Sequence, residues 1–192
     1  MEQKQIVDVL TQCHVLLEGH FRLTSGKHSD HYMQCARLFE HPVESKMLCD
    51  ELAERVKARG LGDIDLVVGP ALGGIIMAYQ MAQSLGVRNL FAERENGQMT
   101  LRRGFEVRPG ERVLVCEDVV TTGGSVKEVL DVLKEKGAHV IGVASIVDRS
   151  KGQVDFSVPF EPLVAVDFHV YDPDQCPLCA QGSQAYKPGS RS

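Results

Sequence analysis

One run of residues constrains this chain more than any other: Arg112-Val113-Leu114-Val115-Cys116-Glu117-Asp118-Val119-Val120-Thr121-Thr122-Gly123-Gly124-Ser125. Val113 to Cys116 are unbroken apolar residues, which predicts a strand buried on both faces. Val126, Val129, Leu130 and Leu133 then recur at helical spacing. A strand that turns through glycines into a helix leaves the first helical N–H groups unpaired. With the helix dipole those groups favour an anion, usually a phosphate. Neither the P-loop nor the dinucleotide fingerprint is present. Glu117 and Asp118 would repel a bare phosphate. They suit a ligand that also offers sugar hydroxyls, a metal ion or a developing positive charge. The alternative is an acid pair that caps the following helix.

A second unit of the same kind lies upstream. Ile64 to Gly69 reads as a strand, Pro70-Ala71-Leu72-Gly73-Gly74 as its turn, and Ile75 to about Leu85 as a helix. Two such turns in one α/β chain point to a ligand with two phosphate groups. A chain of 192 residues holds one domain, or one domain with a small appendage. The net charge of −5 argues against general nucleic-acid or membrane-surface binding. No apolar run approaches the ~20 residues of a membrane span. Met1 to Gln5 lack the apolar core of a signal peptide, so a cytoplasmic chain is expected.

The remaining segments fall around these units. Lys4 to Leu17 predicts an amphipathic helix with Ile6, Leu10, Cys13 and Leu17 on one stripe. Gly19 to Gln34 suggests a hairpin dense in polar side chains around Tyr32 and Met33. By itself it reads more readily as an exposed hairpin with a solvated basic turn than as a binding segment. Pro42 to Arg59 is a second helix, with Val43, Met47, Leu48, Leu52 and Val56 inward. Leu90 to Arg94, a turn at Asn96-Gly97, and Met99 to Phe105 form a second hairpin. Arg94, Arg102 and Arg103 cluster there, as edge charges or as a phosphate clamp. His139 to Val147 is a strand with Asp148-Arg149 at its end, and Pro162 to His169 is the last strand. Ligands of open α/β sheets bind at such strand ends. Tyr171 to Ser192 is expected to be an extended arm. Cys176-x-x-Cys179 offers half of a zinc site with His169 as the nearby candidate ligand, a pair of thiols, or a reversible disulfide.

With these pieces in place, the chain resembles the type I phosphoribosyltransferases. The Val113–Ser125 run is similar to their signature for phosphoribosyl pyrophosphate (PRPP). Gly19 to Ser29 with Tyr32, the Gly69–Ile75 loop, Val147-Asp148-Arg149, and the tail with Cys176, Cys179 and Lys187 to Arg191 resemble the members that use orotate. The resemblance implies a single domain over 1–192: a mainly parallel sheet flanked by helices over about 42–170. A hood of about 1–40 plus the arm 171–192 would cover it. It implies transfer of ribose 5-phosphate from PRPP to orotate, Mg²⁺ on the PRPP near Asp118, and a homodimer. A purine-using relative, or a PRPP-sensing regulator of the same fold, is the alternative.

The resemblance also distributes roles. Glu117 and Asp118 would support the ribose as it becomes positive. Val119, Val120, Thr121, Thr122, Gly123, Gly124 and Ser125 would hold the 5′-phosphate end of PRPP. Leu72, Gly73, Gly74 and Arg94 would hold its pyrophosphate. Arg149, Thr121, Tyr32 and Met33 would hold orotate. Many orotate-using members carry lysines where Thr24 and Gly73 stand, and a longer loop with Lys and His after the residue matching Arg94. Those are missing, so Lys27, Arg102 and Arg103 are the candidates for the absent positive charge.

Overall fold

A computed structural model describes residues 1–23 and 25–188. Thr24 and the tail residues Gly189, Ser190 and Arg191 lie outside the described residues. The chain runs α1 (Gln3–Gln12), β1 (Leu16–Arg22), β2 (His28–Met33), α2 (Pro42–Ala58), β3 (Leu66–Pro70), α3 (Gly73–Leu85), β4 (Arg88–Glu95), β5 (Gln98–Thr100), β6 (Arg112–Val120), α4 (Gly124–Glu135), β7 (His139–Asp148), β8 (Phe160–Ala165), β9 (Val170–Tyr171) and α5 (Pro177–Ala180).

Six strands form the main sheet in the order β5-β4-β3-β6-β7-β8, parallel except for the β4–β5 hairpin. The apolar run read from the sequence is its centre. Val113, Val115, Leu114 and Cys116 are fully buried. Val113 and Val115 join the core under α4, and Leu114 and Cys116 join the core under α2 and α3. Both faces of β6 are therefore covered, as an uninterrupted apolar strand requires. From β3 the sheet grows outward through β4, and from β6 it grows the other way through β7. The order reverses between β3 and β6, which is where open α/β sheets bind ligands. Pairing of β3 with β6 stops at Val68↔Val115, whereas β6 stays on β7 to Val120↔Asp148. A gap therefore opens at the strand ends.

β1, β2 and β9 make a separate three-stranded sheet. Such a small sheet needs support from its neighbours. Met33 and Cys35 supply it by packing into the core with Ile6, Leu10 and Leu38.

Four expectations change. The first helix stops at Gln12, because His14 adopts φ 53° and turns the chain into β1, so Leu17 is a strand residue. On α2 the inward stripe is Ser45, Leu48, Cys49, Leu52, Ala53 and Val56, while Val43 (77%) and Met47 (40%) are exposed. The returning strand after Asn96-Gly97 ends at Thr100, and Arg103 and Gly104 then take left-handed conformations that no strand can continue through. The tail is not an extended arm. It pairs β9 with β2, forms α5, and returns so that Tyr186 exchanges backbone hydrogen bonds with the hairpin: Arg22 N–H donates to Tyr186 (2.7 Å) and Tyr186 N–H donates to His20 (2.8 Å).

Candidate active site

Glu117 and Asp118 end the central strand beside the gap. Adjacent strand residues ordinarily face apart, yet both carboxylates touch the β3–α3 turn. A Cβ at Gly73 would stand 2.8 Å from Asp118 Oδ1, and one at Gly74 would stand 3.1 Å from Glu117 Oε1. Each carboxylate folds back along its strand: Asp118 N–H donates to Glu117 Oε1 (3.2 Å) and Val119 N–H donates to Asp118 Oδ1 (2.8 Å). The missing side chain at Gly73 is thus what lets the turn close on Asp118. The Ala71–Leu72 peptide in the same turn is cis, and Leu72 is 84% exposed.

Two buried acids this close disfavour each other's charge. Burial, then the charge of Asp118, pushes Glu117 up to about 9, and burial raises Asp118 as well. A cation arriving here would be met by carboxylates that become ionised in its presence. Cys35 is buried and near enough to the pair to feel its charge. Its thiol is pushed upward by burial and by Asp118, while Arg149 pulls the other way.

The Thr121–Ser125 loop leads into α4 and borders a cavity of about 180 Å³, lined also by Glu117, Val119, Val120 and Val126. Gly123 is the N-cap of α4 with φ 72°, and a Cβ there would meet Phe156 and Val154 at 2.8 Å. Only glycine satisfies both limits. A Cβ at Gly124 would meet only the Thr122 hydroxyl, at 3.7 Å, and Thr121, Thr122 and Gly124 are exposed. The first-turn N–H groups of α4 therefore face an open, small-residue cradle.

Arg149 follows β7 and is tied to this loop's base, its N–H donating to Val120 (2.8 Å). Its guanidinium carbon lies 5.4 Å from the centre of the Phe168 ring, and His31 stacks on that same ring at 5.1 Å and 5°. Among the described residues Arg149 has no ion-pair partner, so its donor fork remains available. His31 and Phe168 were not singled out from the sequence. A separation of 137 positions hides such a stack from any local pattern.

Other expected site residues are held elsewhere. Met33 is a core residue, 6% exposed, on the opposite face of β2 from Tyr32, whose ring sits 5.7 Å from Phe21. Lys27 pairs with Asp172 (3.0 Å). Arg94 pairs with Glu128 of α4 (2.8 Å) and donates to Gly97 (3.2 Å). Arg102 pairs with Glu95 (3.1 Å), and Arg103 with Glu93 (2.8 Å) while lying over Phe91. The three arginines occupy the β4–β5 edge and are engaged by acids of their own chain. The acids, the two glycine turns and Arg149 meet at the switch point; the four clamp candidates, Lys27, Arg94, Arg102 and Arg103, have carboxylate partners instead.

This arrangement has known counterparts. The phosphoribosyl transferase domain model matches residues 37–159. An orotate phosphoribosyltransferase of Thermotoga maritima is 59% identical over 186 residues, 97% of this chain and 98% of the relative. One from Desulforamulus reducens is 54% identical over 191 residues, 100% of this chain and 98% of the relative. Among solved structures, the orotate phosphoribosyltransferase of Aeropyrum pernix superposes with TM-score 0.66 at 27% identity, over 83% of this chain and 93% of that one. An adenine phosphoribosyltransferase at TM-score 0.65 and 17% identity, over 81% of this chain and 99% of that one, shares the fold alone. Identity of this level over whole chains, joined to the site at the β3/β6 reversal, leads to one family: the chain belongs to the orotate phosphoribosyltransferases.

Proposed function

We propose that this protein transfers the ribose 5-phosphate of PRPP to orotate, giving orotidine 5′-monophosphate and pyrophosphate for pyrimidine nucleotide synthesis. The observation that carries the reading is the unpaired Arg149 beside the acid pair and the α4 cradle. A purine would give that guanidinium no carboxylate to bind. The wholly matching relatives bear the orotate name, which favours this activity over the purine-using and regulatory alternatives.

Breaking the bond from ribose C1 to pyrophosphate builds positive charge on the sugar and negative charge on the leaving group. Glu117 and Asp118 accept hydrogen bonds from the ribose hydroxyls and become favourable as the sugar turns positive. The α4 amides with Thr121, Thr122 and Ser125 hold the 5′-phosphate. Leu72, Gly73 and Gly74 receive the pyrophosphate through backbone groups, and Gly73 keeps that loop close to Asp118. Arg149 binds the orotate carboxylate through two parallel hydrogen bonds, Thr121 adds a third, and Tyr32 borders the ring, while Met33 stays in the core beneath the hairpin. Mg²⁺ fits the acid pair, and when bound to PRPP it neutralises pyrophosphate oxygens. Asp118 is the residue that would stand nearest it. Orotate's ring nitrogen is already acidic, so the site needs no strong general base. Arg94, Arg102, Arg103 and Lys27 reach the pyrophosphate only by leaving their present carboxylate partners, which makes the clamp a moving part.

A homodimer is part of the same reading. Val43 and Met47 on α2 and Leu72, Ile76 and Tyr79 at α3 expose apolar surface on neighbouring helices next to the site. The test mixes purified protein with orotate, PRPP and Mg²⁺ and follows loss of orotate absorbance, with the mass in solution measured alongside. Stoichiometric orotidine 5′-monophosphate from a species of two chains is expected. Turnover of adenine or hypoxanthine with orotate untouched would reverse the assignment.

A further inference from the structure

Far from the PRPP cradle, four metal-ligating side chains converge. His20 of β1, His28 at the start of β2, and Cys176 and Cys179 around α5 place one donor atom each within 4.8 Å of all the others. His20 Nε2 and His28 Nδ1 are 3.0 Å apart. Cys176 Sγ is 3.4 Å from His20 Nε2, and Cys179 Sγ is 3.7 Å from His20 Nε2 and 3.3 Å from His28 Nδ1. Zinc–nitrogen bonds of about 2.0–2.1 Å and zinc–sulfur bonds of about 2.3 Å, set at tetrahedral angles, give edges of about 3.3–3.8 Å. The three sulfur–nitrogen separations of 3.3–3.7 Å fall in that range, the 3.0 Å between the two histidines is shorter, and all four donors stay within 4.8 Å of one another. His169, the histidine nearest in sequence, does not join them: it stacks on Tyr171 at 6.2 Å.

We propose that these four residues form a structural zinc site that fastens the C-terminal arm to the hood. Two thiolates and two imidazoles in a closed tetrahedron are a zinc donor set. His20 also has the outer partner that metal-bound histidines need: its Nδ1 lies 3.1 Å from Ser183 Oγ, which fixes the ring with Nε2 toward the sulfurs. Backbone bonds hold the segments in register independently of the donors. Ala180 N–H donates to Cys176 (3.1 Å), Gly182 N–H donates to Cys179 (2.9 Å), and Tyr186 N–H donates to His20. His20 and His28, in a small sheet with little core of its own, are each only 8% exposed, and Cys176, just before α5, is 3% exposed, while Cys179 lies at the surface. A metal supplies the cross-link that such a sheet lacks. The site is closed, with no position for substrate, so its role is to hold the β1–β2 hairpin and the arm together.

The test uses the full chain, purified without chelator and exchanged into metal-free buffer. Elemental analysis should find about one zinc per chain. Cobalt substitution should give tetrahedral visible bands together with thiolate-to-cobalt charge transfer. The double variant Cys176→Ser, Cys179→Ser should lose at least about tenfold in bound zinc, whereas His169→Ala keeps it. Should the double variant fail to fold, the wild type answers alone: chelation should lower its Tm by about 10 °C and added zinc should restore it. Zinc-free protein that does not take up the metal on titration, a Cys176–Cys179 disulfide in the purified chain, or a Tm indifferent to chelator and zinc would overturn the site. None of these readouts depends on transferase activity.

Discussion

Asp118→Asn is expected to lower turnover by about 10²–10³-fold, the usual loss when one electrostatic contact to a transition state is removed, and to leave folding stability unchanged or improved. Asparagine keeps an oxygen that can accept from Val119 N–H, as Asp118 Oδ1 does at 2.8 Å. What disappears is the negative charge beside the ribose. The stability half of the prediction follows from the raised acids. Glu117 is pushed up from its ordinary 4.5 to about 9 by burial and by Asp118. Between those values the folded chain holds a proton that the unfolded chain has released. Stability from this group is therefore complete below about pH 4.5 and is lost as pH rises through about 9. Removing the Asp118 charge relieves Glu117, so the variant's Tm should fall less steeply over this window. Measuring kcat and Tm from pH 5 to 9 checks both halves. A parallel loss of turnover and stability would make Asp118 a structural cap of its strand end.

The second large effect belongs to Arg149. Arg149→Ala should raise the KM for orotate about 10–100-fold, from the loss of hydrogen bonds to a charged group at about 1.5–3 kcal/mol in total, with little change in the KM for PRPP. Arg149→Lys should recover only part, because a lysine cannot offer the paired donors of a guanidinium. The Phe168 ring below Arg149 and the His31 ring stacked on it fix the direction of the fork. Initial rates with each substrate varied in turn separate the two constants. An unchanged orotate constant would remove Arg149 from orotate recognition and would reopen the choice of base.

Much of this was legible in the sequence where the signal is local. The Val113–Cys116 run predicted a doubly covered strand, and β6 is one. The glycine turns after β3 and β6 were readable because only glycine fits a left-handed N-cap against Phe156, or a loop pressed on a carboxylate. Long-range features were not readable. Alternation alone could not say that Glu117 and Asp118 both reach the β3–α3 turn; that follows from β3 leaving β6 after Val115. The arginine hairpin was found, but its residues' pairing with Glu93, Glu95 and Glu128 depends on side-chain directions that spacing does not give. The Cys176–Cys179 pair looked like half a metal site because its other half sits about 150 positions upstream in a hairpin that reads as ordinary polar turn. Val43 and Met47 fell on the apparent apolar stripe of α2, yet face outward because the helix rolls to pack Cys49 and Ala53 inward.

The most direct test of the central claim is a crystal structure of this protein with orotidine 5′-monophosphate. The product's phosphate should lie on the amides at the start of α4, its ribose hydroxyls on Glu117 and Asp118, and its base carboxylate on Arg149. A nucleotide bound with its phosphate away from the Thr121–Ser125 loop, or with its carboxylate turned from Arg149, would contradict the account.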